Sequence, residues 1–204
     1  VMAVRMARAF TGRTAILSSG YHGWHETFVS TTPPAWGCLP QNVFTFEFGN
    51  RADMEGSLAL YKPAAVILEH PMVDPPAGYY KRLRELCDHY GALLIIDEVV
   101  TGFRWALGGA CEVYGIRPDL CCYGKALANG MPISAVVGRR DIFEWCFNRN
   151  DPVFISSTAF GEAVSLAAAD AVLDIWNQDG VDHLWRIGQA LIDGLRAAGY
   201  EVIG

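Results

Sequence analysis

The sequence predicts an α/β protein, a mostly parallel β-sheet flanked by helices on both faces. Two short apolar runs with β-branched members, residues 64–68 (AAVIL) and 92–96 (ALLII), read as strands buried on both sides. Between them, residues 78–90 place Tyr79, Leu83, Leu86, Cys87 and Tyr90 near helical spacing, with charged residues opposite. Strand, helix and strand then form a right-handed crossover. Apolar residues make up 51% of the chain and charged residues 19%, the balance of a covered sheet rather than of a disordered or fibrous chain.

The remaining elements come from the same periodicities. A helix is predicted over residues 1–10, a strand over 13–17 and a helix from about Gly23. A Pro- and Thr-rich loop, residues 30–42, leads to a strand at 43–46. Beyond the crossover, apolar segments predict strands at 120–123, 134–137 and 153–155. Helices are predicted over 162–177 and 181–198, the second closed by Gly199 as a C-cap. The chain opens inside a helix and closes as a further strand, residues 200–204, begins, so it reads as a fragment. Elements without partners at both ends are expected to leave apolar surface open.

Composition excludes several classes. The net charge is -6 and the basic residues are scattered, which lacks the basic patch of a nucleic-acid binder. No apolar stretch reaches the roughly 18 residues of a membrane span and no charged-then-apolar leader is present, so no membrane partner is expected and cytoplasmic residence is the default. Six cysteines without a CxxC pair read as reduced and structural. Of the histidines only His22 and His25 are near neighbours, flanking a helix start, and no metal site is expected. No GxGxxG follows a strand, which argues against a dinucleotide-binding dehydrogenase.

The chemistry concentrates in two segments. In LLIIDEVVTGFR (residues 93–104) a buried strand delivers Asp97 and Glu98 at its carboxyl end, where open α/β sheets keep their ligands. A carboxylate there is costly to bury without a cation or donors; alone, the pair also reads as solvent-facing or helix-capping acids. In PDLCCYGKALANGMPISAVVG (residues 118–138) a strand ends in Gly124-Lys125. A lysine beside a glycine that leaves room for something bulky suits a carbonyl-trapping nucleophile, while the plainer reading is a snorkelling lysine at a sheet edge. An acid on one strand end and a lysine on another suit pyridoxal 5'-phosphate (PLP): the acid meets the pyridine nitrogen and the lysine forms the Schiff base.

The order Asp-Glu-Val, Thr-Gly-Phe-Arg, Pro-Asp-Leu, then Gly-Lys with Asn-Gly and Met-Pro after it resembles the PLP-attachment signature of class-III aminotransferases over residues 94–138. Weaker similarity runs from ARAFTGR (7–13) and YHG (21–23) to STAFGEAVSLAAADAVLDI (157–175). The resemblance implies a fold-type-I PLP-dependent transferase large domain, truncated at both ends: residues 1–198 the partial PLP-binding domain, residues 199–204 the start of a C-terminal small domain. It gives Lys125 the Schiff-base and proton-shuttle role and Asp97 the pyridine-nitrogen contact. Val99 would pack on one face of the ring and Tyr21 on the other, with His22 as a pocket neighbour. Thr158 would reach the cofactor phosphate of a partner subunit, implying a homodimer with shared active sites; its hydroxyl alone suggests only an N-cap. Glu69 and Glu98 would order this network without being catalytic.

The implied reaction is amino-group transfer on a small amino or keto substrate, between molecules or within one, as in glutamate-1-semialdehyde aminomutase. Val100, where many members carry Gln, and Gly102-Phe103-Arg104 incline toward the aminomutase branch; Phe160-Gly161-Glu162-Ala163 stands where members carry Gly-Asn-Pro. The phosphate-binding nest of the family is expected just upstream of Val1. A catalytically incomplete fragment or scaffold, and a PLP decarboxylase or epimerase on the same fold, are the alternatives.

Overall fold

The computed structural model describes residues 1–31 and 36–202. Its elements run α1 (Met2–Thr11), β1 (Ile16–Ser19), α2 (Glu26–Val29), β2 (Val43–Thr45), α3 (Arg51–Tyr61), β3 (Ala65–Glu69), α4 (Tyr79–Tyr90) and β4 (Leu93–Asp97). Then come α5 (Gly109–Tyr114), β5 (Leu120–Tyr123), a 3-10 turn (Lys125–Leu127), β6 (Ala135–Gly138), α6 (Arg140–Phe147), α7 (Ala163–Ile175) and α8 (Gln178–Ala197). The strands form one sheet in the order β2-β1-β3-β4-β5-β6, parallel except for the β5–β6 pair.

The two-residue period of the strands divides the core into two layers. Val66, Leu68, Leu94 and Ile96 point to one face, where Met54 and Leu58 of α3 and Leu83, Leu86 and Cys87 of α4 cover them. Ala65, Ile67, Leu93 and Ile95 point to the other, under Ala3 and Met6 of α1 and Ile142 and Cys146 of α6. Each such aliphatic side chain contributes about 1.5–3 kcal/mol on burial. Truncating fully buried Ile95 to Ala would cost about 2–5 kcal/mol.

Local chemistry sets the helix ends. Asn50 accepts the Asp53 N–H at the start of α3, and His25 accepts the Thr27 N–H at the start of α2. Gly12 and Gly91 close α1 and α4 in the left-handed conformation that a residue with a Cβ resists. Gly199, φ +89, comes after the Ala198 cap of α8.

The predicted segment at 153–155 is not a strand. Val153 and Ile155 pack on the core, but the Val153 N–H is bonded to the Cys146 carbonyl at the end of α6 rather than to a ladder partner. α3, α5 and α6 were not anticipated. The cap of α7 is Glu162, accepting from Val164 and Ser165, and not Thr158. Thr32–Ala35 of the predicted loop and Ile203–Gly204 of the predicted last strand lie outside the described residues, and residues 200–202 form no strand. α8 buries only Val181 and leaves Leu184, Ile187, Leu191 and Leu195 exposed along one side. Among the described residues no helix is long and apolar enough to cross a membrane.

Candidate functional site

Because β1, β3, β4 and β5 are parallel, their carboxyl ends share one edge of the sheet, and the residues just past those ends come together there. β1 delivers Tyr21 and His22, β3 ends in Glu69, β4 ends in Asp97, and β5 runs into Gly124-Lys125. Glu69 stands opposite Asp97, and Asp97 opposite Cys122, so the lysine emerges on the strand next to the aspartate.

Asp97 is 7% exposed. Its Oδ1 accepts the Val99 N–H at 3.1 Å, and its Oδ2 lies 2.8 Å from His22 Nδ1. An ionised carboxylate only accepts, so His22 carries its proton on Nδ1 and donates it. The His22 side chain is 2% exposed, packs on Phe28 with ring centroids 5.1 Å apart, and among the described residues has no partner at Nε2. An ionised carboxylate offers about four lone-pair directions, and two of those on Asp97 are engaged. The remaining capacity of a nearly dry acid calls for a further donor. Burial first, and then the charge of Asp97, push the neighbouring Cys122 thiol up to about 12, so it stays neutral.

Lys125 is exposed and opens the 3-10 turn at φ +45, a left-handed conformation uncommon for a residue with a side chain. Gly124 before it is buried and extended; a Cβ there would lie 3.6 Å from a Val99 methyl. Val99 thus walls the space beside the lysine that the glycine keeps clear. Tyr21 is 59% exposed, and its N–H is held by Glu69 Oε2 at 2.9 Å. Gly20, φ +97, permits this close approach: a Cβ on it would lie 2.7 Å from Glu69 Cβ.

Glu98 points into the protein. It is fully buried, its Oε2 accepts the Thr101 hydroxyl and, at 3.0 Å, the Ala110 N–H, and its Oε1 accepts the Cys111 N–H at 2.7 Å. It staples the start of α5 beneath the site and has no reach into it.

The structure therefore gathers Asp97, Val99, His22 and Lys125 at one edge, with Tyr21 at the rim. Thr158 stands apart, on an exposed turn before α7, and makes no side-chain hydrogen bond among the described residues. Its neighbours Ser157 and Ala159 line a separate cleft of about 790 Å³ with Met2, Arg5 and Ser134; Asp97 and Lys125 do not line it. Glu69 as the anchor of Tyr21, and the left-handed backbone at Lys125, carried no sequence signal of their own.

An open α/β sheet with an acid and a lysine on adjacent strand ends is the large-domain architecture of fold-type-I transferases. The family model described as Aminotransferase class-III matches residues 62–204, and the chain belongs to that family. A 3-aminobutyryl-CoA aminotransferase from Cloacimonas acidaminovorans (strain Evry) is 35% identical over 189 residues, 88% of this chain and 45% of that protein. An omega-transaminase from Sphaerobacter thermophilus superimposes with a TM-score of 0.87 at 28% identity, over 100% of this chain and 54% of that one. A glutamate-1-semialdehyde aminomutase from Pseudomonas aeruginosa PAO1 gives a TM-score of 0.80 at 25% identity, over 96% of this chain and 49% of that one. The chain thus spans about half the length of the relatives it matches. Tyr21 and His22 lie outside the residues matched by the family model but inside the stretch common to the whole-chain superposition.

Proposed function

We propose that the intact protein carries out pyridoxal-phosphate-dependent amino-group transfer, between an amine and a keto compound or within one substrate, with Lys125 and Asp97 as its working residues. The observation that carries this reading is the pair itself: a buried aspartate with unfilled acceptor capacity and a lysine after a bare glycine, on adjacent parallel strands. The residues are of the kinds that suit a flat, cationic heteroaromatic ring: Gly124 carries no Cβ beside the Val99 methyls, and Asp97 offers an acceptor to a ring N–H.

When bound, PLP supplies an electron sink that stabilises negative charge at the substrate carbon. Asp97 would hold a proton on the ring nitrogen by accepting a charge-assisted hydrogen bond from it. His22, 2.8 Å away through Nδ1, would keep that carboxylate in place. Lys125 Nζ would hold the cofactor covalently and, as a free amine, would serve as the base and acid that moves the proton. Val99 and Tyr21 would cover the ring from either side.

The reading extends to a homodimer in which Thr158 donates to the cofactor phosphate of a second copy, supported by its exposed turn and its separation from Asp97. Mixing Lys125→Ala with Thr158→Ala subunits tests this: one site of the heterodimer recovers both residues and gains cofactor affinity, and no gain over either parent refutes sharing. A boundary between residues 198 and 199, where α8 has ended, separates the cofactor-binding region from a C-terminal small domain. Cytoplasmic residence belongs to the same reading, supported by six free cysteines.

The decisive assay offers an amine donor and keto acceptors to the PLP-loaded protein and monitors amino-group exchange. Lys125→Ala should slow it by about 10²–10⁴-fold, the usual worth of a positioned acid-base group. Exchange at the wild-type rate in that variant would overturn the proposal.

A further inference from the structure

We propose that Trp176, where α7 passes into α8, is a positioning residue for Lys125: it clamps the turn after Asp97 against the turn that carries the lysine. The inference rests on the reading of Lys125 as the cofactor-binding residue.

Two of the residues with side chains that adopt left-handed backbone lie close to the site, Phe103 at φ +63 and Lys125 at φ +45. A bulky residue does not choose this conformation unaided, so surrounding contacts must impose it. Both residues adjoin one small apolar cluster. Phe103 packs with Tyr123, ring centroids 5.6 Å apart, against Leu127 and Ala128, and Leu127 belongs to the same 3-10 turn as Lys125. Ala169 of α7 completes the cluster.

The clamp on Phe103 comes from outside this cluster. Trp176 Nε1–H donates to the Phe103 carbonyl at 2.8 Å, and Trp185 Nε1–H donates to the Trp105 carbonyl at 3.2 Å, so two indoles from the C-terminal helices grip one turn. Trp176 is fixed in turn by Gly180, where a Cβ would lie 2.8 Å from the ring. Gly102 lets the turn sit close: a Cβ there would lie 2.7 Å from the Tyr123 ring and 2.8 Å from the Glu98 carbonyl. Within the lysine's own turn, the Leu127 N–H to Gly124 carbonyl bond (3.0 Å) and the Asn129 N–H to Lys125 carbonyl bond (3.0 Å) set its shape. Phe103 packs on that turn, and its own turn is held by the Trp105 N–H to Thr101 carbonyl bond (3.0 Å) together with the Trp176 N–H, which reaches it from the C-terminal part of the chain.

Two substitutions attack the clamp differently. Trp176→Phe keeps an aromatic ring and removes the donor; Gly180→Ala keeps the donor and displaces the ring. The chain has three lysines, Lys62, Lys81 and Lys125, so capture of PLP by the intact apoprotein can be timed by quenching with borohydride and mapping each peptide, with two lysines as internal references. Both variants should slow labelling of Lys125 by about 10- to 100-fold, as a misplaced reacting group does. Labelling of Lys62 and Lys81 should hold at wild-type values, whatever small fall in thermal midpoint the lost bond or the displaced ring brings. Wild-type labelling of Lys125 in both variants would overturn the inference, as would a fall in thermal midpoint with all three lysines changing together, which marks a merely structural role. Label on Lys62 or Lys81 of the wild type, with Lys125 bare, would instead sink the reading on which it rests.

Discussion

Two buried aspartates on neighbouring strands of this sheet have different partners, and burial does not tell them apart. Asp97, at the carboxyl end of β4, is 7% exposed; Asp119, just before β5 at the other edge, is 4% exposed. Asp119 accepts three hydrogen bonds, two of them from cations. Its Oδ1 meets Arg139 at 2.7 Å, and its Oδ2 meets Arg84 at 2.8 Å and the Leu94 N–H at 2.7 Å. Two cations and a strand amide leave it no task but to tie β4, β5, α4 and α6 together. Bonds to Asp141 and then Asp119 hold the Arg139 guanidinium above its ordinary range. Asp97 has one imidazole and one amide. Asp97 keeps more acceptor capacity than Asp119 once the protein's own donors are counted, and the proposed function assigns that capacity to the cofactor.

The strongest way to break that comparison is Asp97→Asn. A neutral amide cannot hold a pyridine nitrogen protonated, and turnover should fall by about 30- to 1000-fold, the equivalent of about 2–4 kcal/mol, with the fold intact. Near-normal steady-state rates would remove Asp97 from the mechanism. Asp119→Ala should do the reverse. Breaking a buried ion pair costs about 3–5 kcal/mol, and with Arg139 about half exposed to solvent the loss here should be about 2–4 kcal/mol by denaturant titration, with turnover per folded molecule unchanged. A turnover defect in that variant would show that both acids serve the site.

His70 sharpens the comparison through pH. It is buried beside Phe48, Trp105 and Tyr114, bonded through Nδ1 to the Tyr80 hydroxyl, and burial lowers its pKa from 6.5 to about 4 despite Glu98 and Asp74. The unfolded chain therefore takes up this proton first. Stability is complete above about pH 6.5 and is lost as pH falls toward 4, by about 2 kcal/mol at pH 5. His70→Gln, which keeps an acceptor for Tyr80, should flatten that part of a stability-against-pH curve; an unchanged slope would exclude His70 as its source. The smallest effect is expected from Glu98→Gln. Losing an anionic acceptor for two backbone N–H groups should cost about 1–2 kcal/mol of stability, with rates within a few-fold of wild type. A rate loss comparable to that of Asp97→Asn would place Glu98 in the mechanism.

The sheet was legible in the sequence because its central strands are contiguous apolar runs, and β3, α4 and β4 fall within a residue or two of expectation. α3 was not, since RADMEGSLALY buries only Met54 and Leu58 and carries little periodic signal. Residues 153–155 misled because a contiguous Val-Phe-Ile run looks like a strand, while strand identity depends on a ladder partner that the sequence does not display. At the candidate site, Asp97 and Lys125 stood out in the sequence because one ends and the other follows an apolar strand. Asp119 and Trp176 did not: their meaning lies in Arg139 and Phe103, partners brought close only by the fold.

If the free acceptor capacity of Asp97 serves a ring N–H of the cofactor, nitrogen NMR of the protein loaded with ¹⁵N-labelled PLP will show it. The ring nitrogen should be protonated in the wild type and in Asp119→Ala, and should lose that proton in Asp97→Asn. A nitrogen signal that is the same in the wild type and in Asp97→Asn would contradict the account, whatever the rates of the two proteins.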